Sequence, residues 1–161
     1  MSADQASSTA SGSRMDSVRA LQHALYRSAK ADPGRRFHAL RDKVYRRDVL
    51  WRAWVAVRRN GGAAGIDGTT LADVEEYGVE RLLDEVAEEL KGGRWQPLPA
   101  RRVLIPKPGT NEQRPLSIPS VRDRVVEAAV KIVLEPILKR IFFRAVSGSA
   151  RGGRRTMPCR F

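Results

Sequence analysis

A proline-rich stretch, VLIPKPGTNEQRPLSIP (103–119), carries one cation on each side of a polar centre, Lys107 and Arg114. The prolines favour extended backbone, and the polar centre is typical of the turn of a β-hairpin. A stiff hairpin would present both cations at little entropic cost, lysine as a point charge and arginine as a fork that fits phosphate. The pair predicts a grip on a triphosphate or a backbone phosphate. The alternative is a solvated surface hairpin whose charges only keep it in solution.

Two more cations, Arg122 and Arg124, lie in the first turn of the helix predicted after this hairpin. Positive charge is unfavourable there against the positive end of the helix dipole, so a compensating group is expected nearby. A phosphate would serve. Pairing with Asp123, with Glu127 or with another acid would serve equally, and the residues alone leave both interpretations open.

The segment NGGAAGIDG (60–68) places four glycines between two predicted helices. Glycine permits close approach of the backbone to another group. The segment is either a lid whose amides contact a nucleic-acid strand or a flexible connection. Asp67, beside a glycine, is typical of a turn former, and Trp54, at helical spacing, is typical of a core residue.

The overall composition limits the class of protein. The chain has 161 residues, a net charge of +12, 42% hydrophobic residues and 30% charged residues, which indicates a globular protein attractive to polyanions such as nucleic acid. No segment approaches the ~20 apolar residues of a membrane span, and no signal-peptide core is visible. The single Cys159 excludes an internal disulfide framework. A cytoplasmic protein without a membrane partner is expected.

Residues for metal chemistry are not visible as a motif. The two histidines lie far apart, and with one cysteine they form no zinc site. Paired carboxylates of the kind that hold two metal ions for nucleotidyl transfer are not recognisable either. The sequence therefore predicts no catalytic residue and no metal ligand.

Hydrophobic periodicity predicts the elements that position these residues. Residues 1 to about 15 lack an apolar period and are predicted to be a disordered leader. The whole order predicts an α-rich α+β fold with amphipathic helices and a small antiparallel β-hairpin. Helices are predicted from about 16 to 32, over 36–45, over 48–59 with Asp48 as its cap, from Thr70 to about 91 with Asp73 completing a capping box, and from Ser120 to about 143; strands are predicted over 101–105 and 114–118.

Three blocks together resemble one family, the reverse transcriptase/maturase proteins encoded by bacterial group II introns. They are NGGAAGIDGTTLADVEEY, then L-x-x-G-x-W-Q-P-L-P-x-R-R-V-x-I-P-K-P, then QRPLSIPSVRDRVVEAAVKIVLEPIL, and they lie within residues 20–143 in family order. The resemblance implies that residues 16–143 are the N-terminal extension and fingers region of a right-hand polymerase.

The resemblance also implies roles for single residues. In the family the basic residues of the hairpin approach the incoming nucleotide, which implies binding of nucleotide phosphate by Lys107 and Arg114. Basic residues of the extension contact intron RNA and template, so the implied partners are group II intron RNA or another RNA template, and a deoxynucleoside triphosphate. The implied RNA-binding residues are Arg58, Arg59, Arg101, Arg102, Arg122 and Arg124.

The chain also departs from the family pattern. Family members continue into a palm whose aspartates hold Mg²⁺, and no such motif follows here, so we expect a truncated fragment without a cofactor that is inactive alone. The family block Phe-Gly-Phe-Arg-Pro-Gly-Arg-Ser-Ala-His-Asp-Ala is absent after residue 143. Codons that are permitted for 144–161 spell it when shifted by two bases. The hypothesis is a frameshift that makes 144–161 a basic tail foreign to the family.

Two other functions stay open. One is an autonomous basic RNA-binding or chaperone module without enzymatic activity, and the other is a polymerase assembled in trans with a separately encoded palm. Without a palm, apolar side chains of the last helix are expected to be partly exposed and to favour aggregation. These are Ile132, Leu134, Ile137, Leu138 and Phe142.

Overall fold

The computed structural model describes the backbone of residues 3–32, 34–109 and 111–149, with side chains for residue 14 and for 16–32, 34–109 and 111–139. Within those residues, packed helices and a two-stranded antiparallel sheet confirm the α-rich α+β class. The elements in chain order are α1 (Ala3–Ala31), α2 (Arg41–Val44), α3 (Arg47–Asn60), α4 (Leu71–Tyr77), α5 (Val79–Gly92), β1 (Arg101–Pro106), β2 (Gln113–Ile118) and α6 (Val121–Ser149).

The hydrophobic core lies where α1, α3 and α6 pack against one another. The predicted apolar face of α3 is confirmed, because Leu50, Trp54 and Val57 are all buried. Full burial of side chains of this size contributes about 1.5 to 3 kcal/mol each. The neighbouring helices contribute Val18, Leu21 and Leu25 from α1 and Val121, Val125 and Val133 from α6.

Helix α1 begins at Ala3, within the stretch that the sequence predicts as a disordered leader. That prediction depended on the missing apolar period, which reports burial and not helix formation. Alanine is the strongest helix former and no proline interrupts 3–31, so the backbone of 3–15 can continue the helix that later turns nucleate.

The connection from α1 to α3 is mostly non-helical. The helix predicted over 36–45 is reduced to the single turn of α2. Phe37 and Leu40 precede that turn and pack against the core from irregular backbone. Their apolar spacing therefore reflects burial of an irregular segment, which periodicity cannot distinguish from a helix.

Asp48 does not cap α3 as predicted. The helix starts one residue earlier, at Arg47, and its cap residue Arg46 makes no side-chain capping bond. The carboxylate of Asp48 instead accepts hydrogen bonds from Ser17 Oγ at 2.6 Å and from Arg46 Nη2 at 2.6 Å. Asp48 thus joins α3 to α1, a contact between distant parts of the chain that no local pattern announces.

Gly78 divides the helix predicted after Thr70 into α4 and α5. Its φ of 104° is far from helical values, and only glycine adopts it without strain. The predicted start is confirmed: Thr70 Oγ1 accepts from Asp73 N at 3.2 Å, and Asp73 Oδ2 accepts from Thr70 N at 2.8 Å. The hydrogen bond from the Thr70 N–H holds the pKa of Asp73 below its ordinary value. Helix α5 ends at Gly93, which has a φ of 70°.

The predicted hairpin is confirmed, with each strand one residue longer than expected. The register runs from Arg101 opposite Ile118 to Pro106 opposite Gln113. Helix α6 follows after Ser120, whose Oγ accepts from Asp123 N at 3.1 Å as the predicted cap.

The partial exposure predicted for apolar side chains of α6 is confirmed for Ile132 and Leu134, which are half-buried, and for Leu138, which is 43% exposed. It is wrong for Ile137, which is buried at 6% because α6 packs on α1. The side chain of Phe142 lies outside the described residues. Of the predicted tail 144–161, residues 144–149 continue the backbone of α6, and the rest is not among the described residues. No helix in the described ranges has the length and apolarity to cross a membrane.

Candidate nucleic-acid interface

The hairpin brings the two predicted phosphate-binding cations to one face. Arg114 lies directly opposite Ile105 in the register, and Lys107 follows Ile105 by two residues. Residues two apart on a strand share a face, and the register continues past the strand because Lys107 N donates to Glu112 O at 2.9 Å. Lys107 and Arg114 are therefore diagonal neighbours across the hairpin, at a separation of roughly 7 to 8 Å between Cα atoms for such pairs.

Lys107 is not a free charge in this arrangement. Its Nζ lies 2.6 Å from Glu112 Oε2, and both side chains are largely exposed. An exposed pair of this kind is worth about 0.2 to 1 kcal/mol, so a phosphate could displace the carboxylate at modest cost. The sequence prediction missed Glu112, although its position across the turn from Lys107 is a signal that the hairpin register supplies.

Four of the predicted contact residues have exposed side chains with no ion-pair partner among the described side chains. Arg101 and Arg114 lie on the same face of the hairpin. Arg101 is four strand positions from Ile105, and Ile105 is the residue opposite Arg114. The adjacent Arg102 points to the opposite face by strand alternation. The full set is Arg59, Arg101, Arg102 and Arg114.

Arg58 is engaged within the protein. Its Nε lies 2.5 Å from Glu75 Oε1, which joins the end of α3 to α4. Both side chains are exposed, so this pair is also weak. Arg58 stays a predicted RNA contact, but its charge is already balanced by a neighbouring acid.

The first turn of α6 is tied to three separate segments. Arg122 Nη2 lies 2.5 Å from Glu89 Oε2 of α5. Asp123 Oδ2 accepts from Leu98 N at 3.1 Å, just before β1. These contacts favour the interpretation that a neighbouring acid, here Glu89, compensates the charge of Arg122.

The third tie is made by Arg124. Its Nη1 donates to Gly61 O at 3.2 Å and its Nη2 donates to Ala63 O at 3.0 Å. Both acceptors belong to the glycine-rich segment 60–68. The guanidinium that the sequence predicts to contact RNA is therefore hydrogen-bonded to main-chain carbonyls of this loop. Sequence patterns gave no signal for this contact, because the partners are some 60 residues apart in the chain.

The glycine-rich segment lies directly on the start of α6. A Cβ atom on Gly65 would come within 2.6 Å of the Ser120 Cα, and a Cβ on Gly62 within 2.7 Å of Arg124 Nη1. Gly65 is buried, whereas Ile66 is 56% exposed. Asp67 lies in a turn, as predicted. The loop therefore packs closely on α6 at one point and exposes its tip to solvent.

The three tryptophans differ in burial, and the core position that helical spacing predicts for Trp54 is confirmed. Trp54 is 3% exposed and belongs to the core. Trp51 is half-buried, and the Arg14 guanidinium carbon lies 5.1 Å from the centre of its ring. Trp95 packs against the core from the segment before the hairpin.

Within the described residues, no group of three or more histidine, cysteine or acidic side chains is placed to hold a metal ion. The chemistry that the described residues offer is the binding of anions by exposed guanidinium and ammonium groups.

Comparison with known proteins identifies relatives. No family model matches the chain. It is 37% identical over 120 residues to protein YkfC of Escherichia coli (strain K12), which covers 73% of this chain and 31% of that protein. It is 33% identical over 101 residues to the group II intron-encoded protein LtrA of Lactococcus lactis subsp. cremoris, covering 62% of this chain and 16% of LtrA. It is 30% identical over 112 residues to the putative COX1/OXI3 intron 1 protein of Saccharomyces cerevisiae (strain ATCC 204508 / S288c), covering 70% of this chain and 13% of that protein.

The chain spans less than a third of the length of these curated relatives. Two of the three named here are intron proteins by name, from a bacterium and from a yeast. The chain is therefore a homologue of group II intron-encoded proteins over part of their length.

Proposed function

We propose that this chain is the N-terminal extension and fingers region of a group II intron reverse transcriptase/maturase, and that it contacts RNA and nucleotide phosphates. The observation that supports this proposal most directly is the hairpin. On it, Arg101 and Arg114 have no acidic partner among the described side chains, and both share a face with Lys107. The partner is group II intron RNA or another RNA template, with a deoxynucleoside triphosphate at Lys107 and Arg114. Catalysis would require metal-binding aspartates from a palm outside residues 1–161.

RNA binding is tested by fluorescence anisotropy with labelled group II intron RNA over a range of KCl concentrations. The variant is Arg101→Gln, Arg102→Gln and Arg114→Gln together. Each phosphate contact contributes about 0.7 to 0.9 to the slope of log affinity against log salt, so the slope should fall by about two to three. The matched control is Arg14→Gln, Arg47→Gln and Arg81→Gln, which removes the same charge from arginines that are paired with Glu80, Asp84 and Glu85.

The control should lose little affinity and keep the slope of the unmodified protein. Equal losses in both triple variants would mean that overall charge, and not the hairpin, drives binding. No binding of RNA at low salt would overturn the proposal outright. Extension of a primer by the purified chain would overturn the part of the proposal that places catalysis outside it.

One observation favours the alternative of an autonomous RNA-binding or chaperone module. The core of α1, α3 and α6 is one continuous cluster within the described residues, which supports a helical body that folds on its own. The two functions differ in selectivity. Preference for group II intron RNA over unrelated RNA of equal length supports the polymerase fragment, and equal binding with faster strand annealing supports the chaperone.

A further inference from the structure

The strongest unassigned feature is the junction between Arg124 and the glycine-rich segment 60–68. Arg124 lies in the first turn of α6 but directs both terminal nitrogens to carbonyls of Gly61 and Ala63. These carbonyls follow directly on the end of α3, where Gly61 is the cap residue. One side chain thus joins the start of one helix to the end of another.

The location explains why a cation is tolerated at the start of α6. The end of α3 carries the negative end of a helix dipole, which stabilises a guanidinium beside it. The acceptors Gly61 O and Ala63 O lie just past Asn60, the last residue of α3, and Arg124 donates to both. The charge of Arg124 is thus compensated without a phosphate.

The glycines of the loop are matched to this contact. A side chain at Gly62 would collide with Arg124 Nη1, and the φ of Gly62, 116°, is itself unfavourable for other residues. Gly65 brings the loop backbone against Ser120, next to Pro119 at the end of β2. Asp123 holds the entry to β1 through Leu98 N. The loop and the base of the hairpin are therefore fastened to the same turn of α6.

We propose that Arg124 is a positioning residue, which fixes the segment 60–68 beside the base of the hairpin and acts on RNA only through that segment. This inference rests on the proposed function for its RNA part. Its structural part stands alone: loss of the guanidinium frees Gly61 O and Ala63 O and loosens the loop. A direct phosphate contact, by contrast, would leave the loop unchanged when the side chain is removed.

Hydrogen–deuterium exchange of the full chain without RNA tests the structural part. In Arg124→Met, amides of residues 61–68 should exchange at least about ten-fold faster, while the amides of α3 before residue 57 keep their rates. Arg124→Lys keeps the positive charge but has one donor nitrogen in place of two, so the amides of residues 61–68 should exchange at an intermediate rate. The matched control, Arg59→Met, removes an exposed arginine from the last turn of α3 and should leave the loop rates unchanged.

The salt dependence of RNA binding tests the second part. Arg124→Met should weaken binding without changing the slope of log affinity against log salt, and Arg59→Met should lower that slope by about 0.7 to 0.9. Unchanged exchange together with a lower slope for Arg124→Met would overturn the inference in favour of a direct phosphate contact. Circular dichroism melts verify that both Arg124 variants fold. If Arg124→Met does not fold, the exchange rates and the salt slope of Arg124→Lys decide between the two roles. If no RNA binds at all, the proposed function fails, and the exchange rates still decide whether Arg124 holds the loop.

Discussion

Gln22 of α1 donates a hydrogen bond from Nε2 to the main-chain carbonyl of Ile132 in α6, at 3.1 Å. This carbonyl would normally accept from the amide four residues later, but that residue is Pro136, which has no N–H. A side chain from another helix therefore satisfies the acceptor that the proline leaves open. The bond also fixes how α1 lies against α6.

Replacing Gln22 by leucine should lower the free energy of unfolding by about 1 kcal/mol, because the Ile132 carbonyl is partly buried and loses its donor. In a Pro136→Ala background, the Gln22 replacement should lower the free energy of unfolding by only a few tenths of a kcal/mol, because the N–H introduced at position 136 can donate to the Ile132 carbonyl. Urea denaturation of the four proteins measures this coupling. Gln96→Leu, at an exposed site, is the control. Equal costs in both backgrounds would show that the carbonyl and Pro136 are not linked.

Gly65→Ala should destabilise the protein by about 1 to 3 kcal/mol, because the new Cβ would lie 2.6 Å from the Ser120 Cα and backbone cannot rotate away. The control is Gly34→Ala, where the Cβ would meet only an ordinary contact at 3.5 Å. Thermal melts of both variants make the comparison. A melting temperature of Gly65→Ala equal to that of Gly34→Ala would mean that the loop does not pack on α6.

Acid should remove a stabilising contact of Asp48. Burial alone would raise the pKa of Asp48, but hydrogen bonds from Arg46 and Ser17 outweigh it and hold the pKa below the ordinary value of 3.8. A carboxyl with a lowered pKa in the folded state contributes stability above pH 3.8, and that contribution is lost as the pH falls through the folded value. Asp48→Asn should therefore be less stable than the unmodified protein at pH 6, and the gap should close under acid conditions. A difference in stability between Asp48→Asn and the unmodified protein that does not change with pH would exclude this role.

Glu112→Gln should strengthen RNA binding by about 1.4-fold to five-fold at low salt. The change releases Lys107 from its exposed ion pair, and such pairs are worth about 0.2 to 1 kcal/mol. Anisotropy titrations with the same RNA measure the effect. The control is Glu88→Gln, which removes an equally exposed acid from α5. A gain of the same size in the control would assign the effect to net charge.

Much of the local structure could be predicted because its causes are local. The Thr70 capping box and the Ser120 start of α6 each depend on residues three positions apart, and the hairpin joins two strands that are neighbours along the chain. The prediction failed over 36–45, where burial was taken for helix. Periodicity reports which side chains are covered, and only indirectly the backbone conformation.

The candidate site shows the same division. Strand alternation places Lys107 on the same face as Ile105, but only the register of the structure, with Arg114 opposite Ile105, puts both cations on one face. Strand alternation could not show that Glu112 balances Lys107, that Glu89 balances Arg122, or that Arg124 bonds to the glycine-rich loop. Glu112 meets Lys107 across the turn of the hairpin, whereas the partners of Arg122 and Arg124 come close only when α3, α5 and α6 pack.

The sequence by itself determined the family resemblance, the basic character, the hairpin and about half of the helix boundaries, because composition, motif order and short-range hydrogen bonding depend on neighbouring residues. The tertiary structure alone decided which cations remain available to a polyanion. Charges pair over a few ångströms of space whatever their separation along the chain, so Arg101 and Arg114 stay exposed while Arg122 and Arg124 are bound within the protein.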